Sequence, residues 1–191
     1  MNNSLNRAKL FCTLLFIFTL TVGKSQSLSL DEILKLIDGS PSEITTSLST
    51  KGWKFESADK DMSDDGTLLM ESTMIFYFKD NYENYLASFG HMKTFKFDTE
   101  FSYDPRKKRQ APKIGYYLNV AYKFADIKIF NALNEQLINK GVTVQKDEVL
   151  EGGIIEKSFN HDEFNIVFYI APSESGQTFQ FVVGSKYLVE K

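Results

Sequence analysis

The chain has 191 residues, 42% hydrophobic and 25% charged, with a formal net charge of −3. That apolar fraction excludes a wholly disordered chain, and the mild acidity argues against a nucleic-acid partner. A single cysteine excludes a disulfide framework, so the fold must rest on its core.

The first stretch reads as a secretory signal. "MNNSLNRAKL" carries Arg7 and Lys9 and no acid, "LFCTLLFIFTLTV" is an apolar run over 10–22, and small and polar residues follow in "GKSQS". This order of basic start, short apolar run and small residues predicts cleavage after Ser25. The run is short for a membrane span, which needs about 20 apolar residues. Cys12 lies inside it, too early for a lipidated N-terminal cysteine, so the expected mature chain 26–191 has no thiol and a net charge of −6. That chain is expected to be exported, periplasmic or secreted, to form one domain, and to have no membrane span.

"SLDE" (29–32) is a capping box, and Ile33, Leu34, Leu36 and Ile37 form the apolar stripe of a first helix that stops at Gly39. "SPSE" (40–43) is a second capping box with Pro41 at the first helical position. Ile44 and Leu48 face inward, and Gly52 is placed to end that helix in the left-handed conformation.

Strands follow by period two. The first is 53–57, and "DKDMSDDG" (59–66) reads as a turn-rich connection. In 68–78, Met70, Met74, Phe76 and Phe78 share a face. Residues 80–92 keep no single period, leaving loop, hairpin and short helix open. In 94–103, Phe95, Phe97, Phe101 and Tyr103 share a face; "DPRKKRQAPK" (104–113) is a hairpin loop. In 114–122, Ile114, Tyr116, Leu118, Val120 and Tyr122 share a face.

The pattern then restarts. Phe124, Ile127, Phe130, Leu133 and Leu137 recur at a helical period, and Gly141 ends that helix. Strands are expected at 142–146, 153–159, 164–170 and 177–184. "LSTKGWKF" (48–55) and "LINKGVTV" (137–144) repeat one helix-to-strand corner. The expected fold is α+β: two helix-plus-four-strand units, about 28–122 and 123–187, sharing an antiparallel sheet with the helices packed on one face.

This element order is similar to that of the β-lactamase inhibitory protein, a tandem-repeat secreted inhibitor with one curved antiparallel sheet. The likeness spans most of 28–186 as architecture only, and the missing cysteines depart from that protein's disulfides. The texture of 28–57 and 124–146, with "KGWKF" after a helix, also resembles uncharacterised secreted proteins of Bacteroidota, which implies export and no particular chemistry.

Few residues point to chemistry. Asp61, Ser63, Asp65 and Gly66 sit at calcium-loop positions, but position twelve is Ser72, Glu71 falls one short, and calcium needs six to eight oxygens. "RKKR" (106–109) reads as a charged hairpin tip. His91 and His161 lie 70 residues apart without a second ligand at metal spacing, and no nucleophile elbow is present. No catalytic residue, metal site or cofactor is therefore assigned. Aromatic residues make up 14% of the chain, and some fall off the core pattern: Tyr77 and Tyr117 on the opposite strand faces, and Tyr82, Tyr85 and Phe89 in the aperiodic segment. Such aromatics are favoured at interfaces. The expected function is a non-catalytic binding module for a protein or cell-envelope ligand. A hydrolase or other enzyme with an unrecognised site and a structural envelope component are the alternatives.

Overall fold

The computed structural model describes residues 27–62, 70–80, 84–97, 113–187 and 189–190. The expected signal peptide, the acidic turn at 63–66, Tyr82 and the "RKKR" tip lie outside these residues.

Both capping boxes form. Helix α1 (Leu30–Ile37) starts where the Ser29 hydroxyl accepts from the Glu32 amide, while the Glu32 carboxylate accepts from the Ser29 amide at 2.8 Å. Helix α2 (Pro41–Thr50) repeats this with Ser40 and Glu43. Leu30, Ile33, Leu36 and Ile37 of α1 are buried, as are Ile44 and Leu48 of α2. The third helix, α3 (Ile127–Asn139), uses a simpler cap, the Asp126 carboxylate accepting from the Lys128 amide at 2.9 Å.

The strands are β1 (Lys54–Met62), β2 (Met70–Lys79), β3 (Tyr85–Phe97), β4 (Lys113–Phe124), β5 (Thr143–Val149), β6 (Ile155–Asn160), β7 (Phe164–Ser173), β8 (Gly176–Ser185) and β9 (Val189–Glu190). They make one antiparallel sheet in the order β1-β2-β3-β4-β8-β7-β6-β5, with β9 added beside β4 at Gly115 and Tyr116. Each run of four strands is a meander. The two meanders meet through their last strands, where Val120 lies opposite Val183 and Tyr122 opposite Phe181.

One cluster joins the helices to the strands. Ile37, Ile44, Leu48, Leu133 and Leu137 belong to it together with Phe76, Phe89, Tyr122, Phe168 and Phe181. Contacts also run between helices: the Gln136 side chain of α3 accepts from the Leu30 amide at 2.8 Å, and Lys140 pairs with Asp31 at 2.8 Å. Lys51 pairs with Glu32 at 2.6 Å, so both acids in the first turn of α1 hold a lysine from a distant helix end.

Three expectations need correction, and one alternative left open is decided. The first strand runs to Met62 instead of ending at 57, because its ladder with β2 continues through the polar residues. Trp53 precedes that strand and is buried as part of the corner. Of the alternatives for 80–92 the hairpin holds: the Asp80 amide donates to the Asn84 carbonyl at 3.0 Å, and β3 begins at Tyr85, antiparallel to β2. Phe124 ends β4 instead of opening a helix; α3 buries Ile129, Leu133 and Leu137 and leaves Ile127 exposed.

The outer strands are guarded against further pairing. β1 and β5 each carry a bulge, between Phe55 and Ser57 and between Val144 and Lys146. β5 also carries Lys146, Asp147 and Glu148, with Lys146 bonded to Glu148 and Asp147 paired with Lys157 at 3.1 Å. Bulges and charges on an edge disfavour addition of a foreign strand.

Candidate functional site

Residues directly opposite one another in an antiparallel ladder share a face. The buried positions of the central strands therefore define a second set, turned away from the core, that lines up in rows. One row runs Tyr77, Ser88, Lys123, Gln180, Tyr169, Glu156 across β2, β3, β4, β8, β7 and β6. The next is Ile75, Gly90, Ala121, Val182, Val167, Ser158, and the third is Thr73, Met92, Asn119, Gly184, Asn165, Asn160. Apart from Gly184, every one of these residues is half-buried or exposed. Six strands at about 4.8 Å spacing make a face about 24 Å wide.

The rows differ in chemistry. The middle one is apolar up to Ser158 at its end, and lowest at Gly90 and Ala121. The third carries three asparagines. There a Cβ built on Gly184 would stand 2.2 Å from the Asn119 side-chain oxygen, so Asn119 packs directly over the glycine. The first row holds tyrosines near both ends. At one end the Tyr77 and Tyr85 rings meet edge to face, 4.6 Å apart at 70°, and the Lys79 ammonium lies 4.2 Å over the Tyr85 ring. Tyr85 is 56% exposed. At the other end, Tyr169 lies opposite Glu156 in the ladder; partial burial and that carboxylate both raise the phenol's pKa.

Beside the tyrosine pair is a shallow groove of about 250 Å³, lined by Tyr77, Tyr85, Leu86, Ser88, Lys123 and Thr178 among others, none of them acidic. The structure thus gathers Tyr77 and Tyr85 but not all the residues expected with them. Tyr117 shares the face, yet it lies opposite Thr94, six residues along β4 from Lys123 and so about 20 Å away from that row. Phe89 is not a surface residue: it is fully buried on the other face, 6.5 Å from Trp53. It was expected among the binding aromatics because 80–92 has no clean period. Phe89 points inward opposite Phe76, and the irregularity between Phe78 and Lys79, which passes Leu86 over in the ladder, breaks the alternation so that Tyr85, of the same parity, lies on the outer face. Tyr82 lies outside the described residues.

Sequence reasoning missed Tyr169, Lys123 and the asparagine row. The alternation in "FNIVFYI" already sets Tyr169 against Phe168 and Ile170. What it cannot give is the register that brings Tyr169 into line with Tyr77.

The histidines occupy unlike places. His161 stands in a turn, its Nδ1 accepting from the Glu163 amide at 3.1 Å. His91 is 6% exposed, with Nε2 2.8 Å from the Ile37 carbonyl, and burial lowers its pKa. Next to it is a cleft of about 360 Å³ between the α1–α2 turn and strands β2 to β4. Among the described residues no three His, Cys, Asp or Glu side chains converge as a metal site would need, and no helix is long and apolar enough to cross a membrane.

Comparison of the chain with family models, characterised proteins and solved structures finds no match.

Proposed function

We propose that this chain is an exported, non-catalytic binding module whose ligand is a protein or a cell-envelope component. In this reading two helix-plus-meander units share the sheet, their helices cover one face, and the ligand takes the other. The repeated corner and the joining of two meanders at their last strands support the two-unit architecture.

One observation carries the functional reading: the residue types on the face turned from the core. Tyr77, Tyr117 and Tyr169 stand among Ser88, Ser158, Asn119, Asn165 and Asn160, around a low apolar strip. Tyrosine supplies large contact area at low entropic cost, and serine and asparagine supply adaptable hydrogen bonds, the mixture that protein-binding surfaces favour. The guarded outer strands direct a partner to the face instead of the edges. The Tyr77–Tyr85 pair is the natural anchor, since its rings are already held by each other and by Lys79.

The test compares capture of envelope components by the purified chain and by its variants. Tyr77→Ala, Tyr85→Ala and Lys123→Glu are expected to weaken retention of a specific partner by about tenfold or more each. Their unfolding free energies should stay within about 0.5 kcal/mol for the exposed Tyr85 and Lys123 changes. Phe89→Ala is the contrasting case, expected to cost about 3–5 kcal/mol of stability because it empties a core site. Retention that is indifferent to all three surface changes would rule out this face as the binding surface.

A further inference from the structure

We propose that His91 is a pH-operated latch that holds the turn between α1 and α2 against the sheet. The residue sits in the middle of β3, between Met74 of β2 and Val120 of β4. Its ring reaches across to the carbonyl of Ile37, the last residue of α1. The last carbonyls of a helix have no intrahelical donor, so His91 supplies from the sheet what the helix end lacks. A carbonyl can only accept; the proton therefore sits on Nε2, and Nδ1 is bare in the neutral ring.

Protonation changes the balance at this contact. The ring is 6% exposed, and a charge there loses most of its hydration. Burial is the main reason its pKa lies below the usual histidine value, and it outweighs the bond to the Ile37 carbonyl, which a charged ring would donate more strongly; the Lys93 ammonium on β3 adds to the lowering, and Asp38 in the turn opposes it. The other ionisable groups around the cleft are Glu43 of α2 and Tyr116 of β4, whose ring lies 3.5 Å beneath the Lys93 ammonium. From α1 only Ile37 lines the cleft. An imidazolium regains water most readily by widening the existing cleft of about 360 Å³, and the turn 38–40 is its movable wall.

The sign follows from the lowered pKa. The closed turn is fully stabilised above the ordinary histidine value of about 6.5, and that stabilisation is lost as pH falls from there toward the folded-state value. Acid thus opens the cleft on the core side of the sheet, away from the tyrosine row.

Hydrogen exchange of the amides from Leu36 to Ser40 tests this, corrected for intrinsic rates, between about pH 7.5 and about pH 5. In the wild-type chain their protection should fall about tenfold while β8 amides hold theirs. His91→Gln keeps an N–H donor without a titrating ring and should show no such fall; His161→Gln should behave as wild type. A wild-type chain without the fall, or an equal fall in His91→Gln, overturns the latch. If His91→Gln does not fold, wild-type NMR decides: the His91 ring signals and the Ile37–Gly39 amide shifts must titrate with one midpoint, and separate midpoints overturn it.

Discussion

The two helix-to-strand corners have one backbone and different side chains. In the first, the Trp53 amide donates to the Leu48 carbonyl at 3.1 Å and the Gly52 amide to Ser49 at 3.0 Å. In the second, Val142 donates to Leu137 at 3.0 Å and Gly141 to Ile138 at 2.9 Å. Gly52 and Gly141 have φ of 89° and 75°. Each is a Schellman stop with glycine in the left-handed position and a buried apolar residue on either side of it, Leu48 and Trp53 in the first, Leu137 and Val142 in the second. Even the capping residues agree: Lys51 and Lys140 reach back to Glu32 and Asp31.

The residue after the glycine is where they part. Trp53 is the hub of its half, with ring centroids of Phe78, Tyr122 and Phe89 at 5.7, 5.9 and 6.5 Å. Its indole N–H is buried without a hydrogen-bond partner among the described residues. Val142 is no hub. In the second half that place belongs to Phe130 on the helix itself, 4.9 Å from both Phe168 and Phe179. A glycine stop sets the direction of the chain locally, whereas the side chain that fills the space beyond is chosen by what the neighbouring elements leave empty.

The largest expected break in this likeness is Trp53→Ala. It should cost about 3–5 kcal/mol, against about 1.6 kcal/mol for the two methyl-sized groups lost in Val142→Ala. Chemical denaturation of the two variants measures the difference. Equal losses would mean that the tryptophan is no hub.

The glycines sharpen the shared part. Gly52→Val and Gly141→Val should each destabilise by about 1–2 kcal/mol or more, since a β-branched residue is poorly tolerated at positive φ. At Gly141 nothing lies within 4 Å of an added Cβ, so the cost there is conformational alone. Gly141→Asn should accordingly lose less than Gly141→Val, because asparagine visits the left-handed region. Indistinguishable midpoints for Asn and Val would point to a packing cause instead.

The smallest effect concerns how the helices begin. The first half uses capping boxes and the second an aspartate alone. Hydrogen bonds from the Ser40 hydroxyl and amide hold the Glu43 carboxyl below its ordinary pKa. Its contribution is therefore complete above the unfolded-state value and disappears as pH falls through the folded one. Glu43→Gln should flatten the acid limb of the stability profile slightly. An unchanged limb, followed by urea midpoints, would remove the box as a source of acid sensitivity.

Much of this was readable in the chain. Capping boxes, glycine stops and the alternation in 74–78, 114–122 and 164–170 are local, because each depends on residues within one turn or one pleat. The irregular entry to β3 was not readable: the ladder misses a beat between Phe78 and Lys79, and that leaves Tyr85 on the surface although Phe89, of the same parity, is core. Nor was the start of α3, since Phe124 fits a helical stripe and a strand face equally well.

The sequence by itself determined the α+β class, the capped helices, the paired glycine corners and the single-cysteine chain that forces reliance on a core. These follow from backbone preference and side-chain period. Only the tertiary structure decided that β4 lies beside β8, that Tyr77 and Tyr169 stand in one row, and that a histidine on β3 closes the end of α1. Those pairings join residues tens of positions apart, and they are selected by the mutual burial of faces that no local pattern can match to one another.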